Sequence, residues 1–316
     1  MKKIILLGVL ISLFSCKKAI KNEASNLDNK ELDSIQFAEP QITDSKEVNS
    51  ENDLLGYWVG VFEADMNDEQ RDSLYKKFGD RFYNDISKKV TFSFDKIKAD
   101  SIFGHTIVSG NITAFKGTII FEENAFEIKV KEPNKSKNDG FFMMNVVKND
   151  TLVKGTWSGY SPRELKIPHR KYELHKVKFE YNPDNKIEYT FRDKDKSKLV
   201  VFRDTIDGEP EEYDDTTFYS TTEKVFDKNA STTLLTKAFV SNLTKADIYI
   251  LRNSIFARHG YAFRDRQLRV YFEYFDWYMP VFGDVKEDLS KLEKSNVALL
   301  LRYEKNAEEY YDTFGR

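Results

Sequence analysis

The chain has 316 residues, with 49 lysines and arginines against 52 aspartates and glutamates, and a formal net charge of −3 at pH 7. Because proteins that bind nucleic acids concentrate positive charge on one surface, this mildly acidic balance argues against a nucleic-acid partner. The chain has a single cysteine, Cys16, so it forms no internal disulfide and must be stabilised by packed cores.

Residues 1–15 are typical of a secretory signal peptide. Two lysines precede a largely apolar run from Ile4 to Phe14, which is too short to remain as a membrane-spanning helix, and the small residue Ser15 precedes Cys16. The last four of these residues, Leu-Phe-Ser-Cys, also resemble a lipobox, with a phenylalanine that is familiar from lipoproteins of the Bacteroidota. The resemblance implies cleavage before Cys16 and attachment of a lipid to that residue. The alternative is an ordinary cleaved signal peptide followed by a chance cysteine.

Residues 16–52 are polar and charged, with almost no aromatic residues and no sustained hydrophobic period. Such a segment does not bury enough apolar surface to fold, so we predict a flexible tether between the lipid and the folded body. In lipoproteins of this kind an acidic run directly after the cysteine tends to mark export to the cell surface, whereas Lys17 and Lys18 stand there in this chain. The sequence therefore favours a lipid-anchored protein on the periplasmic side of the outer membrane.

Residues 53–184 have mainly the pattern of β-strands. Leu55 to Phe62 forms the first predicted strand, and later segments alternate apolar and polar residues, as Val90 to Phe94 does. Turn residues separate these short runs, for example at 138–140. One interruption, Asn67 to Lys88, has apolar residues four positions apart and predicts a helix. We expect an α+β protein whose first domain is an antiparallel meander or a small barrel.

Two tryptophans lie near the two ends of this domain. Trp58 belongs to a G-x-W sequence in the first strand and Trp157 lies near the last strand, an arrangement that resembles lipocalins and implies a closed barrel holding an apolar ligand. A β-sandwich or a curled sheet with the tryptophans in its core is the other interpretation, and it is favoured because G-x-W is a loose signal for a lipocalin. Near His175 the apolar residues change from one strand face to the other, so we predict a bulge or a break there.

Residues 185–226 predict a second, smaller β meander. Two apolar runs, Tyr189 to Phe191 and Leu199 to Phe202, flank a charged turn at Asp193 to Lys196. The acidic run from Asp204 to Asp215 has the composition of a calcium loop. However, when its glycine takes the sixth place of an EF-hand loop, the first and third places lack carboxylates. We therefore predict a solvated hairpin and no metal site.

Residues 227–236 have no period and are predicted to link the domains, and residues 237–316 then predict three helices around one small core. Each predicted helix begins with a side chain that can accept a hydrogen bond from the first turn, and two have an acidic residue three positions later. These predicted caps are Thr244 with Asp247, Asp265, and Ser290 with Glu293.

The first of these helices ends in a sequence that resembles the motif of the YARHG domain, a small module of bacterial envelope proteins. Arg252, Asn253 and the run from Phe256 to Tyr261 carry the core of the resemblance. Phe256 stands where the family usually has a tyrosine, so one hydroxyl is missing. The resemblance continues at Tyr271, Phe272, Trp277, Tyr278, Pro280, Glu293, Asn296, Tyr303 and Glu304. It implies an exported helical domain with a binding or structural role, and it implies no particular chemistry.

The sequence has no recognisable catalytic or metal-binding motif. The four histidines, His105, His169, His175 and His259, have none of the spacings of a zinc site. The cysteine is assigned to the lipid, and the glycine motifs of nucleophile elbows and phosphate loops are missing. We therefore predict no cofactor, no metal and no catalytic residue. A pair of carboxylates in a hydrolase is recognised by its distance in space, which the sequence does not give.

One polar group in the helical domain is a candidate binding site. Its polar members lie near the end of the first helix, and two aromatic residues follow in the next segment. The members are Arg252, Asn253, Arg258, His259, Trp277 and Tyr278. In the structural interpretation they satisfy helix-end carbonyls and fill the core. In the functional interpretation Arg258 and His259 hold an anionic or sugar group beside the aromatic rings.

Together these features predict a non-enzymatic cell-envelope lipoprotein whose YARHG-like module binds an envelope component, either peptidoglycan or a protein partner. Two alternatives stay open at this point. One is a hydrolase of envelope polysaccharide or peptidoglycan that uses paired carboxylates. The other is a lipocalin-like carrier with an apolar cavity behind Trp58 and Trp157.

Overall fold

The computed structural model describes residues 54–206 and 209–307. The expected signal peptide at residues 1–15, the lipid-attachment residue Cys16 and the tether at 16–52 lie outside the described residues. Within the described ranges, no helix has both the length and the apolar character needed to cross a membrane.

The first domain is a closed barrel of eight antiparallel strands, in which each strand pairs with the next and the first pairs with the last. Closure confirms the predicted α+β class with a small barrel, and it excludes the sandwich or curled sheet that the sequence favoured. The strands are β1 (Gly56–Ala64), β2 (Ser87–Lys98), β3 (Ser101–Val108), β4 (Asn111–Glu122), β5 (Ala125–Lys131), β6 (Gly140–Val147), β7 (Leu152–Gly159) and β8 (His169–Val177).

The barrel interior is filled with aromatic side chains. Phe92 on β2 lies 4.9 Å from Phe142 on β6 and 5.4 Å from Tyr172 on β8, measured between ring centroids. Since β2 and β6 lie on opposite sides of an eight-stranded barrel, the contact between Phe92 and Phe142 joins the two walls across the centre. Trp58 is fully buried and its Nε1 donates to the Leu54 carbonyl at 2.8 Å, so this tryptophan belongs to the packed core.

The predicted helix at 67–88 is present but is broken in the middle. It forms α1 (Asp68–Phe78), a 3-10 turn (Gly79–Phe82) and α2 (Tyr83–Ile86). Asn67 caps α1 in a reciprocal pair with Gln70, and Gly79, at φ +64°, ends it. The segment connects β1 to β2 at one end of the barrel.

Residues 90–94 of strand β2 are buried on both faces, although the alternating pattern predicts one solvated face. Thr91 and Ser93 point outward and are as fully buried as the apolar residues between them. The reason is that residues 278–280, between the last two helices of the chain, cover this wall. Thr91 Oγ1 donates to the Pro280 carbonyl at 2.8 Å, and Lys89 Nζ donates to the Tyr278 carbonyl at 2.8 Å.

Strand β8 has no bulge at His175, and the break that is predicted near this residue is the end of the strand at Val177. The change of parity therefore occurs where the strand ends. The aromatic residues after the strand leave the barrel and pack on the helical part of the protein. Phe179 meets Phe282 edge to face at 5.2 Å, and Tyr181 stacks on His259 at 4.1 Å.

The second β segment is a ribbon of two long strands, β9 (Arg192–Ile206) and β10 (Glu209–Ser220), and most of its residues are exposed. The predicted turn at 193–196 is wrong, because β9 passes through it. Phe218 pairs with Ser197 and Tyr219 pairs with Asp193, so residues 194–196 form a bulge in the ladder. Charged residues that look like a turn in sequence are therefore displaced from the pairing without ending the strand.

The helical domain contains α3 (Lys237–Val240), α4 (Lys245–Arg258), α5 (Arg266–Glu273) and α6 (Lys291–Glu304), preceded by a 3-10 turn (Glu223–Phe226). The three longer helices confirm the predicted three-helix domain. All of the predicted caps are formed: Thr244 with Asp247, Asp265, and Ser290 with Glu293.

The segment at 227–236, which the sequence suggests as a linker, contributes to the core of the helical domain. Ala230 and Leu235 are buried in that core. Asn296 on α6 donates to the Ala230 carbonyl at 2.7 Å and accepts from the Leu235 N–H at 2.9 Å. The helical domain therefore includes residues before α3.

We expect Gly110→Ala to loosen the contact between the barrel and the helical domain. Gly110 has φ +74°, and an added Cβ would lie 2.1 Å from the Phe263 carbonyl oxygen, so the two backbones would have to separate. The matched control is Gly79→Ala, which has a similar φ of +64° and open space around the added Cβ.

Both substitutions should cost about 1–3 kcal/mol for the left-handed backbone, and only Gly110→Ala should carry a further loss from the clash. Denaturant unfolding of the purified variants measures the difference. Equal losses for the two alanines would show that the close approach at Gly110 does not hold the domains together.

Candidate functional site

Arg258, the centre of the candidate binding group, is buried and bonded within the protein. Its Nε donates to the Asn185 carbonyl at 2.8 Å, and its Nη1 donates to the hydroxyls of Ser254 at 3.0 Å and Ser231 at 3.2 Å. Burial lowers the pKa of Arg258 to about 10, which leaves the guanidinium charged at neutral pH. This side chain joins the end of α4 to the segment that follows the barrel.

His259 completes the same corner, which we call the RH corner (Arg258 and His259). The Nε2 atom of His259 lies 3.0 Å from Oε2 of Glu293, and its ring stacks on Tyr181. Tyr181 also donates its hydroxyl to the second oxygen of Glu293 at 2.9 Å. The carboxylate of Glu293 therefore bonds both to the end of α4, through His259, and to the segment that follows β8, through Tyr181.

Glu293 is fully buried and remains ionised. Burial by itself raises the pKa of Glu293, but hydrogen bonds from His259 and from the Ser290 N–H outweigh that effect and lower the pKa to about 2. The capping box of α6, which the sequence predicts as a local feature, thus also serves a contact between distant segments.

The other members of the candidate group have partners within the protein as well. Arg252 donates twice to the carboxylate of Glu304, at 3.1 and 3.2 Å. The remaining three donate to carbonyl oxygens at 2.8 to 3.0 Å: Asn253 to Tyr249, Trp277 to Lys186, and Tyr278 to Tyr261. The bonds of the group support a role in holding the fold, and ligand binding by these six residues stays a prediction.

A second candidate site lies at one end of the barrel, where the connections β1–β2, β3–β4, β5–β6 and β7–β8 come together. These connections surround a cavity of about 520 Å³, which we call the mouth cavity. The aromatic residues Phe62, Phe142 and Trp157 line it together with Glu132 and Arg170. Its size lies in the range of about 300–1,000 Å³ that is typical of small-molecule sites.

Glu132 is a buried carboxyl group on the wall of the mouth cavity. Its Oε2 accepts from the Gly140 N–H at 2.7 Å and from Trp157 Nε1 at 3.5 Å, and its Oε1 accepts from the Thr106 hydroxyl at 3.1 Å. Burial raises the pKa of Glu132 to about 7, although these hydrogen bonds oppose the shift. The group therefore changes charge close to neutral pH.

Arg170 is the buried cation of the same cavity, and its bonds go to backbone carbonyls. The guanidinium donates to the carbonyls of Asp85 at 2.8 Å, Phe62 at 3.0 Å and Ile86 at 3.3 Å. It also lies over the Phe62 ring at 5.0 Å. Burial lowers the pKa of Arg170 to about 10. This side chain fixes α2 against the barrel end and keeps a positive charge at the cavity wall.

Ser109 adds a polar atom that the protein leaves unsatisfied. Its hydroxyl oxygen is buried and has no hydrogen-bond partner among the described residues, and the residue lines the mouth cavity. A buried polar group without a partner costs about 1–3 kcal/mol. Because this oxygen has no accessible surface, a group in the cavity does not reach it.

Sequence reasoning missed the mouth cavity, although a signal was present. Inward residues of β5 include Phe126, Ile128 and Val130, and Glu132 continues their parity just past the strand end. Arg170 likewise shares the inward parity of β8 with Tyr172. A charged residue in an inward position of a barrel strand marks a polar end of the interior, and the pattern can be read without a structure.

Within the described ranges, no three His, Cys, Asp or Glu side chains are arranged to hold a metal ion. The mouth cavity instead combines an aromatic floor with hydroxyl, amide and charged side chains. That combination suits a polar organic ligand with at least one apolar face.

Comparison with known families identifies the C-terminal part of the chain. The YARHG domain family matches residues 223–305, which confirms the resemblance seen at the end of α4. A YARHG domain is a small extracellular or envelope module with a suspected binding role. The match begins before the segment at 227–236 and leaves the barrel outside it. No curated protein and no solved structure matches the chain.

We expect the RH corner to make the protein acid-sensitive. Because the pKa of Glu293 falls from its ordinary value of 4.5 to about 2 on folding, its contribution to stability is complete above pH 4.5 and is lost as the pH falls towards 2. In Glu293→Gln this acid-dependent part of the unfolding free energy should disappear. The variant should also be about 3–5 kcal/mol less stable at neutral pH, since a buried pair loses one partner.

The control is Glu287→Gln, which changes an exposed carboxylate just before the same helix. Denaturant unfolding between pH 2 and pH 7 is the measurement. A Glu293→Gln variant whose stability follows the wild-type pH profile would show that the corner does not depend on the ionised carboxylate.

Proposed function

We propose that this chain, which carries a YARHG domain at residues 223–305, is a lipid-anchored, non-enzymatic binding protein of the bacterial cell envelope. The envelope setting of YARHG domains supports the location, and the lipobox-like sequence before Cys16 supports the anchor. The partner would be the cell-wall polymer peptidoglycan, with a protein of the envelope as the other class of partner.

The anchor is tested through Cys16. Cells that express the protein with radiolabelled palmitate should label the wild type and not Cys16→Ser, because this residue is the only thiol. Membrane fractionation should then place the wild type with the outer membrane and release the variant into the soluble fraction. Label that persists in Cys16→Ser, or an unlabelled wild type, would remove the anchor from the proposal.

The mouth cavity is the observation that carries a binding function. The side chains of the RH corner are buried and bonded to one another and to the backbone, so they offer a ligand little access. The mouth cavity is lined by polar and charged side chains, among them Lys88, Asn111 and Asn138. A protein tethered near the cell wall meets long polar polymers, and a cavity surrounded by connecting loops suits a segment of one.

Co-sedimentation with purified sacculi tests wall binding. The full chain, purified in detergent, should sediment with the sacculi in a saturable manner and should remain in the supernatant without them. A Glu287→Gln variant provides the surface control. Failure of the intact protein to sediment would count against the cell wall and would leave an envelope protein as the partner to be sought.

A hydrolase acting on the same polymer is the second candidate function, and one observation favours it. Glu132 has a pKa of about 7 in a cavity that also contains Asp139, as a general acid in a carboxylate pair requires. New reducing ends released from the sacculi in the same assay, and lost in Glu132→Gln, would identify this activity.

A carrier of apolar ligands has less support, because aromatic rings from opposite walls meet in the centre of the barrel.

A further inference from the structure

The charges at the mouth cavity lie on opposite walls, and their arrangement indicates the class of ligand that the cavity takes. This step rests on the proposed envelope-binding function. Lys88 has the inward parity of Phe92 on β2, and Arg170 has the inward parity of Tyr172 on β8. These two strands flank β1 in the closed barrel, and both cations line the cavity. One wall of the mouth therefore carries two inward cations.

The two cations on this wall have little negative charge beside them. The described hydrogen bonds of Arg170 all go to backbone carbonyls. The Nζ atom of Lys88 lies 3.8 Å from one oxygen of Asp85, and the other oxygen of that carboxylate is 2.9 Å from Lys166. Burial and the neighbouring charge of Arg170 lower the pKa of Lys88. The wall thus buries two cations beside one carboxylate, which a third cation already holds.

The other carboxylates near the mouth are bonded elsewhere. Glu132 follows β5, which lies opposite β1 in the barrel, and accepts hydrogen bonds from β3, β6 and β7. Asp139, on the β5–β6 connection, accepts from two backbone N–H groups at 2.9 and 3.1 Å. Glu273, on α5, pairs with Arg269 at 3.9 Å. The positive wall therefore keeps charge that an anionic ligand would neutralise.

A third cation at the cavity comes from the YARHG domain. Arg264 is exposed, and its guanidinium has no hydrogen bond or ion pair with the residues that the structure describes. The side-chain amides of Asn111 and Asn138 also line the cavity without a bond to this part of the chain. Cationic donors match a carboxylate, and amides match the N–H and C=O groups of a peptide.

We propose that the mouth cavity binds the carboxylate end of a peptide, whose charge is held by Lys88, Arg170 and Arg264. The rings of Phe142 and Trp157 provide an apolar surface for the side chains of that peptide. The site draws residues from both the barrel and the YARHG match. In peptidoglycan the carboxylates belong to the peptides, so the wall would enter the cavity through a peptide stem and not through its neutral sugars.

Isothermal titration of the full chain in detergent compares N-acetyl-D-alanyl-D-alanine with its C-terminal amide, which has the same shape and no charge. The acid should bind at least about tenfold more tightly, because hydrogen bonds from buried cations to a carboxylate are stronger than those to a neutral amide. Equal affinities would overturn the proposal. Displacement of the acid by an equal concentration of inorganic phosphate, or binding of N,N′-diacetylchitobiose in its place, would also overturn it.

Lys88→Gln tests the inward cation. It should weaken binding of the acid at least about tenfold and change the affinity for the amide by less than about twofold. The matched control is Lys98→Gln, which removes an exposed lysine at the other end of the same strand and should leave both affinities unchanged.

The stability of Lys88→Gln separates a ligand-binding role from a structural one. Its unfolding midpoint should be unchanged or raised, because a neutral amide replaces a largely buried cation beside Arg170. A variant that loses stability and keeps its affinity would show that Lys88 serves the fold, and would overturn its assignment.

Arg264→Gln provides a test that does not depend on a buried residue. Because Arg264 is exposed and unpartnered among the described residues, its replacement should not disturb the fold. Binding of the acid should weaken about two- to tenfold. If Arg264→Gln and Lys88→Gln both bind the acid as the wild type does, the cations do not hold a ligand and the proposal fails.

The remaining outcomes separate this inference from the proposed function. If the acid binds and sacculi do not sediment the protein, the carboxylate site stands and the cell wall is not the partner. Tighter binding of N-acetyl-L-alanyl-L-alanine than of the D,D form would support the site and identify the C-terminus of an envelope protein as its source. If Lys88→Gln sediments with sacculi as the wild type does, wall binding stands and the cavity is not its site.

Discussion

The carboxylate of Glu293 has no exposed surface, and three parts of the chain depend on it. It accepts hydrogen bonds from the N-terminus of its own helix, from His259 at the end of α4, and from Tyr181 in the segment that leaves the barrel. A buried carboxylate is costly unless its oxygens are satisfied, so these three contacts must form together. This requirement fixes the helical domain to the end of β8. A separate hydrogen bond, from Thr91 to the Pro280 carbonyl, joins the domain to the wall of β2.

The residues that define the family motif are used in that junction. Arg258, His259 and Gly260 contact the segment after the barrel, and Gly260 has φ +76° with Phe179 and Val281 close to the place of an added Cβ. The motif is therefore a means of folding a helix end against neighbouring chain, and the more accessible polar cavity lies elsewhere. A family motif and a binding site need not coincide, since function depends on the groups at a site.

The features that could be predicted from the sequence are local ones. The capping boxes and the alternation of the β-strands depend on residues a few positions apart, and the structure contains both, whereas the helix predicted over 67–88 is broken at Gly79. Thr91 points out of the barrel and is buried because the segment around Pro280 covers it. Pro280 is distant in sequence, so no pattern within β2 could reveal this burial. The bulge at 194–196 looked like a turn because charge and length are similar in both, and only the pairing of Tyr219 with Asp193 distinguishes them.

Burying polar groups at the end of the barrel costs free energy of desolvation, and a barrel can fold without such groups. An eight-stranded barrel can close its interior with apolar side chains alone, as the centre of this barrel does around Phe92. At the mouth the chain instead buries Glu132 and Arg170, which bond to neutral groups and not to each other. Replacing such buried charges with apolar residues is often neutral or stabilising, so stability alone does not explain them. A cavity that keeps both charges at one open end is better explained by what enters it than by the barrel that supports it.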